Sequence, residues 1–228
     1  MPENPTETAA AVSAAPRLAV RHVQLGRAVL AAIAALMITF SSDHSAAFGL
    51  AVFSGFAITT ALVLGSWAWM ASGPVRRGPI VALALFTVVT GMVGGIPQWR
   101  TTAMFFVLVI AWAAISGAVE LGTGLADRSA MRREGTLDPQ RRSEARDAVT
   151  VGILTLALAA GTALVNPGFR VDFFIDDAGQ WFALTGTTIA VGVFGGYAAV
   201  IAVFLGIAAF TPRREAPAVE SAASGEPA

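Results

Sequence analysis

The sequence contains no cysteine, which excludes disulfide bonds, cysteine-ligated metal sites and a thiol nucleophile. Its two histidines, His22 and His44, leave little from which to build a histidine-based metal site. Lysine is absent as well, so all 15 basic residues are arginine, and 15 acidic residues cancel their charge. A chain without net charge has no long-range field that attracts nucleic acid. We therefore expect no cofactor, no bound metal and no nucleic-acid partner.

Charged residues are scarce. They make up 13% of the chain, against about 25% in ordinary globular domains, whereas hydrophobic residues make up 55%. The mean hydropathy of the chain is +0.68. The missing lysine, together with abundant Ala, Gly and Val, is typical of a GC-rich bacterial genome. These values argue against a soluble protein.

The sequence motifs of several enzyme classes are missing. There is no G-x-x-x-x-G-K-[ST] phosphate loop, no G-x-S-x-G nucleophile turn and no H-E-x-x-H metal helix. We expect no catalytic residues and no enzymatic activity.

Six apolar stretches are long enough to cross a bilayer, whose core of about 30 Å needs about 20 apolar residues per helix. They lie at 24–42, 46–71, 78–96, 102–122, 148–166 and 182–210. The first reaches full length if Arg27 extends its guanidinium to the interface. Because the stretches are apolar all round and not on one face, the sequence predicts an all-α, polytopic membrane protein with six transmembrane helices.

Arginine is distributed unevenly between the segments that join these spans. Thirteen of the 15 arginines fall on one predicted side of the membrane, and only Arg100 and Arg170 fall on the other. Because arginine-rich loops stay in the cytoplasm, the chain is predicted to have both termini there.

The chain divides into a six-helix transmembrane domain at 17–211 and two tails. The tails, 1–16 and 212–228, lack periodicity and are predicted to be disordered in the cytoplasm. The cytoplasmic 123–147 loop holds six arginines and five acidic residues. Two breaks, at Glu134-Gly135 and Asp138-Pro139, predict two short polar helical pieces with a turn between them.

Outer links at 41–45, 97–101 and 166–181 join the spans in pairs, which predicts three antiparallel hairpins. Lipid gives helices no hydrophobic reason to associate, so we expect small residues where two backbones approach closely. The candidate helix-packing positions are Gly55, Gly91, Gly95, Gly117, Gly161, Gly192 and Gly196. A substrate path lined by small residues, with a helix interrupted near Gly91, is the alternative.

Several patterns recur along the chain. The returning helices of the first and third pairs contain Phe53-Ser54-Gly55-Phe56-Ala57 and Phe194-Gly195-Gly196-Tyr197-Ala198. An arginine and a small residue open two helices, at Arg27-Ala28 and Arg77-Gly78. The fourth span contains Trp112-x-x-Ile115-x-Gly117-x-x-Glu120.

Over about residues 20–210, the chain resembles the short-repeat bacterial membrane proteins of the HdeD acid-resistance type. The resemblance rests on the paired hairpins, on the arginine and small residue that open two helices, and on the pattern from Trp112 to Glu120. The long arginine-rich inner loop and the outer stretch around Phe173–Asp177 depart from that type. The resemblance implies six spans in the bacterial inner membrane and a link to acid or envelope stress. It implies no catalytic residue.

Glu120 is the acidic residue placed inside a predicted span, and a carboxylate in a membrane is costly unless it is paired or used. It lies near the predicted cytoplasmic end of its helix, where Arg27 or Arg77 could reach it. Three interpretations stay open: an interhelix ion pair, a proton-handling carboxylate and simple exposure to solvent.

Two functional hypotheses follow. The first is a non-catalytic inner-membrane protein, HdeD-like, that acts in acid or envelope stress through assembly in the bilayer. Its expected partner is lipid, and a homo-oligomer is left open. The second is a small carrier or channel. Beyond Ser and Thr, the predicted spans hold no polar residue near the midplane, so such a carrier would take a neutral or weakly polar solute.

Overall fold

The computed structural model describes residues 20–70, 77–135 and 138–211. These described residues form six α-helices, two short 3-10 turns at Pro97–Trp99 and Asp176–Ala178, and one β-hairpin. The helices are α1 Val20–Phe40, α2 Ala46–Met70, α3 Arg77–Gly95, α4 Thr102–Glu134, α5 Pro139–Leu164 and α6 Gly186–Phe210. The two tails predicted at 1–16 and 212–228 lie outside the described residues.

All six helices are long and apolar enough to cross a membrane, which indicates a multi-pass membrane protein. The prediction of an all-α, six-helix fold is confirmed. Helix α1 begins at Val20, about one turn before the predicted span, and ends at Phe40.

The most extensive helix contacts differ from the predicted hairpins. Helix α4 packs most closely on α5, α1 on α6, and α2 on α3, whereas the pairs joined by the outer links make smaller contacts. Each helix contacts its neighbours in a closed ring, and α2 also contacts α4 and α6. The link lengths indicated which helices are neighbours, but the extent of contact depends on side-chain size along each helix pair.

A glycine lies at the contact of each of these three extensive pairs. A Cβ atom at Gly117 of α4 would lie 2.9 Å from the backbone oxygen of Gly152 in α5. At Gly91 of α3 it would lie 3.0 Å from the Ala57 Cβ of α2, and at Gly195 of α6 it would lie 2.7 Å from a side-chain carbon of Ile38. Gly117 and Gly91 thus allow two backbones to approach closely, whereas Gly195 makes room for the side chain of Ile38.

Three of the candidate packing glycines do not pack against another helix. A Cβ atom at Gly55, Gly192 or Gly196 would meet no heavy atom of the described residues within 4 Å. The buried face of these helices carries aromatic residues instead, among them Phe56 and Phe194. The helices are therefore rotated about their axes so that the three glycines face outward. The packing expected at these three positions is corrected accordingly.

Gly95 and Gly161 make looser contacts. A Cβ atom at Gly95 would lie 3.1 Å from the Ser54 hydroxyl oxygen, and one at Gly161 would lie 3.5 Å from a methyl carbon of Val193. Both contacts are with side chains and not with a neighbouring backbone, so a methyl group there would require a smaller adjustment.

Most of the predicted cytoplasmic loop is helical. Helix α4 continues to Glu134, and α5 begins at Pro139, so the two predicted polar pieces are continuations of the spans. Gly135 ends α4 with φ of 63°, and the Asp138 carboxylate accepts hydrogen bonds from the first backbone N–H groups of α5. Residues 136–137 of the turn lie outside the described residues. We call the continuations, 123–135 and 138–147, the arginine-rich arm.

The outer link between α5 and α6 folds as a β-hairpin, which the sequence analysis did not predict. Strand β1, Arg170–Ile175, pairs antiparallel with β2, Gln180–Thr185, and Gly179 turns the chain with φ of 62°. The signal lies in the sequence: β-prone residues flank Asp176-Asp177-Ala178-Gly179, a run of turn-forming residues. The last span accordingly begins at Gly186 and not at residue 182.

Candidate functional site

A cluster of polar side chains lies where the beginning of α1 meets α4 and α5. We call Gln24, Arg27, Glu120 and Asp147 the charged cluster. One Arg27 guanidinium nitrogen lies 2.7 Å from a Glu120 carboxylate oxygen, and the two side chains are 20% and 12% exposed. The structure thus brings Glu120 together with one of the two arginines named from the sequence. Helix α3 begins at Arg77, but the side chain of Arg77 lies outside the described residues.

One turn before Arg27, a second contact joins α1 to α5. The Gln24 side-chain amide donates a hydrogen bond of 2.9 Å to the Asp147 carboxylate, and both residues are buried. Because Gln24 precedes Arg27 by three residues, both side chains lie on the same face of α1. This face therefore holds one carboxylate from each of two other helices.

The sequence analysis missed Gln24 and Asp147. Asp147 fell in the predicted loop, where a carboxylate is ordinarily solvated, and Gln24 fell at the first residue of a span. The signal that could have found them is the three-residue spacing of Gln24 and Arg27. A polar pair at helical spacing beside a membrane-facing stretch indicates a polar contact with a neighbouring helix.

Tyr197 of α6 adds a fourth helix to this side of the bundle. Its hydroxyl lies 3.0 Å from the Thr155 hydroxyl of α5, and both residues are buried. The Tyr197 side chain lies near Arg27 and Glu120. Polar groups from α1, α4, α5 and α6 thus meet in one region of the interior.

Beyond Tyr197, toward the middle of the bundle, the interior is aromatic. The Trp112 ring contacts Phe53, Phe56 and Tyr197 edge to face, with ring centres 5.4, 5.8 and 6.2 Å apart. Each such pair contributes about 0.5–1.5 kcal/mol beyond the area it buries. The Trp112 ring nitrogen donates a hydrogen bond of 3.3 Å to the Thr87 hydroxyl. Helices α2, α3, α4 and α6 therefore meet around one tryptophan.

Three residues of the Trp112–Glu120 pattern each contact a different part of the bundle. Trp112 lies in the aromatic core, Gly117 lies at the close contact with α5, and Glu120 lies in the charged cluster. The pattern thus connects the interior of the bundle to its charged end along one helix.

A few buried hydroxyl groups have no hydrogen-bond partner among the described residues. They belong to Thr60, Ser116 and Thr162, which are all less than 5% exposed. Leaving a buried hydroxyl without a hydrogen bond lowers the stability of the fold by about 1–3 kcal/mol. Each of these hydroxyls is thus a polar group inside the bundle that could still form a hydrogen bond.

The opposite end of the bundle carries the β-hairpin and the 41–45 link. Arg170 forms an exposed ion pair of 2.9 Å with Asp172, and this hydrogen bond raises the pKa of the guanidinium above its ordinary value. The Asp43 carboxylate accepts a hydrogen bond from the backbone of Ser45. Within the described ranges, no three His, Asp or Glu residues gather as a metal site would require.

Comparison of the chain with protein-family models, with curated proteins and with solved structures finds no match.

Proposed function

We propose that this chain is a non-catalytic inner-membrane protein of the HdeD-like type, which supports bacterial cells under acid or envelope stress. The observation that carries this proposal is the charged cluster. Helix α1 is joined to α4 through Arg27 and Glu120, and to α5 through Gln24 and Asp147. These contacts join three helices at one end of the bundle, which supports a role through assembly in the membrane.

The charged cluster also offers a physical link to acid. Both contacts use a carboxylate as hydrogen-bond acceptor, but only the contact of Glu120 with Arg27 is an ion pair, so a proton on Glu120 would remove the negative charge that this contact requires. Arg27 would then remain as a partly buried cation without a counter-ion, which is unfavourable in a membrane interior. Acid stress is therefore the condition in which this bundle would respond.

In the proposed orientation, both termini and the arginine-rich arm lie inside the cell. It is supported by the six arginines of the arm, and by the charged cluster at the same end of the bundle. In this orientation the β-hairpin lies on the outer side of the membrane.

The experiment is survival of a deletion strain after acid shock, rescued with wild type, Glu120→Gln or Glu134→Gln at matched membrane levels. Glu134→Gln is the control, because it breaks an exposed ion pair with Arg141 instead of a buried one. We expect deletion to sensitise the cells, and wild type and Glu134→Gln to restore survival. We expect Glu120→Gln to fail.

Equal rescue by Glu120→Gln would limit Glu120 to a structural role and would contradict the acid link through the charged cluster. A deletion strain with no acid phenotype would overturn the stress function. In that case the second candidate, a small carrier or channel for a neutral or weakly polar solute, would be favoured. The observation in its favour is the set of buried hydroxyls without a partner, at Thr60, Ser116 and Thr162.

A further inference from the structure

A cleft of about 750 Å³ lies between the β-hairpin and the helix ends beneath it. Its lining comes from three separate parts of the chain: the 41–45 link, the beginning of α4 at Thr102, and the segment from Pro167 to Thr188 that includes the hairpin. A hydrogen bond of 2.8 Å from the Gly186 backbone N–H to the Phe169 carbonyl holds the base of the hairpin against α6. The cleft lies at the end of the bundle opposite the charged cluster.

One wall of the cleft is apolar. Side chains alternate between the two faces of a β-strand, and the strand register places Phe173 opposite Phe182 on the face that lines the cleft. Their rings stack with centres 6.2 Å apart and planes 23° apart. Phe173 and Phe182 are 42% and 38% exposed, so a large part of both rings is open to a ligand.

The floor of the cleft is made of hydroxyl groups. The Thr102 and Thr187 hydroxyls lie 3.3 Å apart, and the Thr185 and Thr188 hydroxyls lie 2.9 Å apart. Each pair shares one hydrogen bond, which uses one of its two O–H hydrogens and leaves the other available. Thr187 is 8% exposed and is one of the residues that line the cleft. The floor can thus donate hydrogen bonds to a ligand and accept them from it.

The charged groups of the lining favour an uncharged ligand. Arg170 lines the cleft, but its guanidinium is already paired with Asp172 at 2.9 Å. The other ionisable group of the lining is His44. An anionic ligand would have to displace Asp172 to pair with Arg170.

We propose that this cleft binds a small uncharged molecule with one apolar face and several hydrogen-bonding oxygens. The apolar face would lie on Phe173 and Phe182, and the oxygens would meet the threonine hydroxyls of the floor. Apolar walls with a few convergent polar groups, in a volume of about 300–1,000 Å³, are what small-molecule sites share. The site does not depend on the proposed stress function, because it uses none of the residues of the charged cluster.

The test uses the full chain in lipid nanodiscs and a photoreactive octyl glucoside with a diazirine in its alkyl chain. The probe is uncharged, with an apolar tail and a hydroxyl-rich head. Cross-linked peptides are mapped by mass spectrometry at increasing probe concentration, with unmodified octyl glucoside or octanoate as competitor. Octanoate has a comparable alkyl chain and a negative charge, so it separates the uncharged class of ligand from the anionic class.

Two variants remove one feature of the cleft each. Phe173→Ala removes half of the stacked pair, and Thr187→Val removes a floor hydroxyl with little change of shape. Phe174→Ala is the matched control, because Phe174 is the next residue of β1, is 45% exposed, and lies on the other face beside Trp181. We expect saturable labelling at 42–46, 167–173 and 182–188.

We expect Thr187→Val to weaken labelling about fivefold, since one hydrogen bond contributes about 1 kcal/mol. Phe173→Ala should weaken it at least as much, and Phe174→Ala should leave it unchanged. Labelling that rises linearly with concentration, or that is the same in all variants, would show partition into the bilayer and overturn the site. Stronger competition by octanoate than by octyl glucoside would overturn the uncharged class of ligand.

Discussion

At the scale of single residues, the interior polar groups divide into those that hold helices together and those that are unused. The Arg27–Glu120 pair is the clearest case of the first kind, because both side chains are largely withdrawn from solvent. A buried ion pair does not by itself stabilise a protein, since desolvation offsets the attraction between the charges. Removing one partner is nevertheless costly, because the other charge then stays buried without a counter-charge.

Glu120→Gln should therefore lower the free energy of unfolding by about 3 kcal/mol, and Arg27→Gln by a similar amount. The double variant with both substitutions should lose less than the sum, because it leaves neither charge unpaired. The measurement is unfolding of the purified protein in mixed micelles with increasing denaturing detergent. Glu134→Gln should cause no measurable change, since the ion pair of Glu134 with Arg141 is exposed. A double variant that loses the full sum would show that the two side chains are not coupled.

At the scale of helices, the glycines fall into two groups, those at a contact between helices and those on an outward face. Gly117, Gly124 and Gly152 lie where α4 and α5 approach backbone to backbone, and a Cβ atom at any of them would overlap the neighbouring helix. Gly192 and Gly196 lie on an outward face, where nothing in the described chain opposes them. Substitutions at the two kinds of glycine should therefore have opposite consequences.

Gly117→Ala should destabilise the protein by about 1–3 kcal/mol, because its methyl group would meet the backbone of Gly152 and Leu156 at 2.9 Å. Gly196→Ala should leave stability unchanged or raise it by up to about 1 kcal/mol, since alanine is the better helix former and space is free. Thermal unfolding of both variants in the same detergent gives the comparison. A Gly196→Ala variant as unstable as Gly117→Ala would contradict the outward position of Gly196.

The helices could be predicted from the sequence, and their rotation could not. Long apolar runs specify a helix because every backbone group must be satisfied inside the membrane, so all six were found. Which face of a helix is buried depends on how its side chains fit the neighbouring helices. Phe53, Phe56 and Phe194 pack inward around Trp112, and this is what turns Gly55 and Gly196 outward. The spacing of glycines within one helix does not show which face of that helix is buried.

The candidate site could be predicted in part, because a polar group inside a membrane must also be satisfied within the protein. A carboxylate in a span needs a partner, and this argument named Arg27 as one of two arginines for Glu120. It could not name Asp147, because the sequence placed this residue in a loop where a carboxylate needs no partner. The β-hairpin was missed because the sequence analysis placed β1, Arg170–Ile175, in an outer link and most of β2, Gln180–Thr185, in the apolar run of the last span. Strands of six residues also give only a short alternating pattern.

At the scale of the whole molecule, the two ends of the bundle differ in chemistry. One end carries the charged cluster and the arginine-rich arm, and the other carries the β-hairpin with its cleft. Arginine is retained on the cytoplasmic side during insertion. We therefore expect the end with the arginine-rich arm to face the cytoplasm and the end with the β-hairpin to face the outside. The absence of cysteine makes this orientation directly measurable, because any introduced cysteine is the sole thiol of the chain.

Two single-cysteine variants test the orientation. Arg133→Cys lies at the exposed end of α4 in the arginine-rich arm, and Asp176→Cys lies at the exposed turn of the β-hairpin. In intact spheroplasts, a membrane-impermeant maleimide should label Asp176→Cys and leave Arg133→Cys unmodified. After lysis it should label both, which controls for accessibility. Labelling of Arg133→Cys but not Asp176→Cys in intact spheroplasts would mean the opposite orientation. The charged cluster would then face the outside of the cell, where it would meet external acid directly, and the cleft would face the cytoplasm.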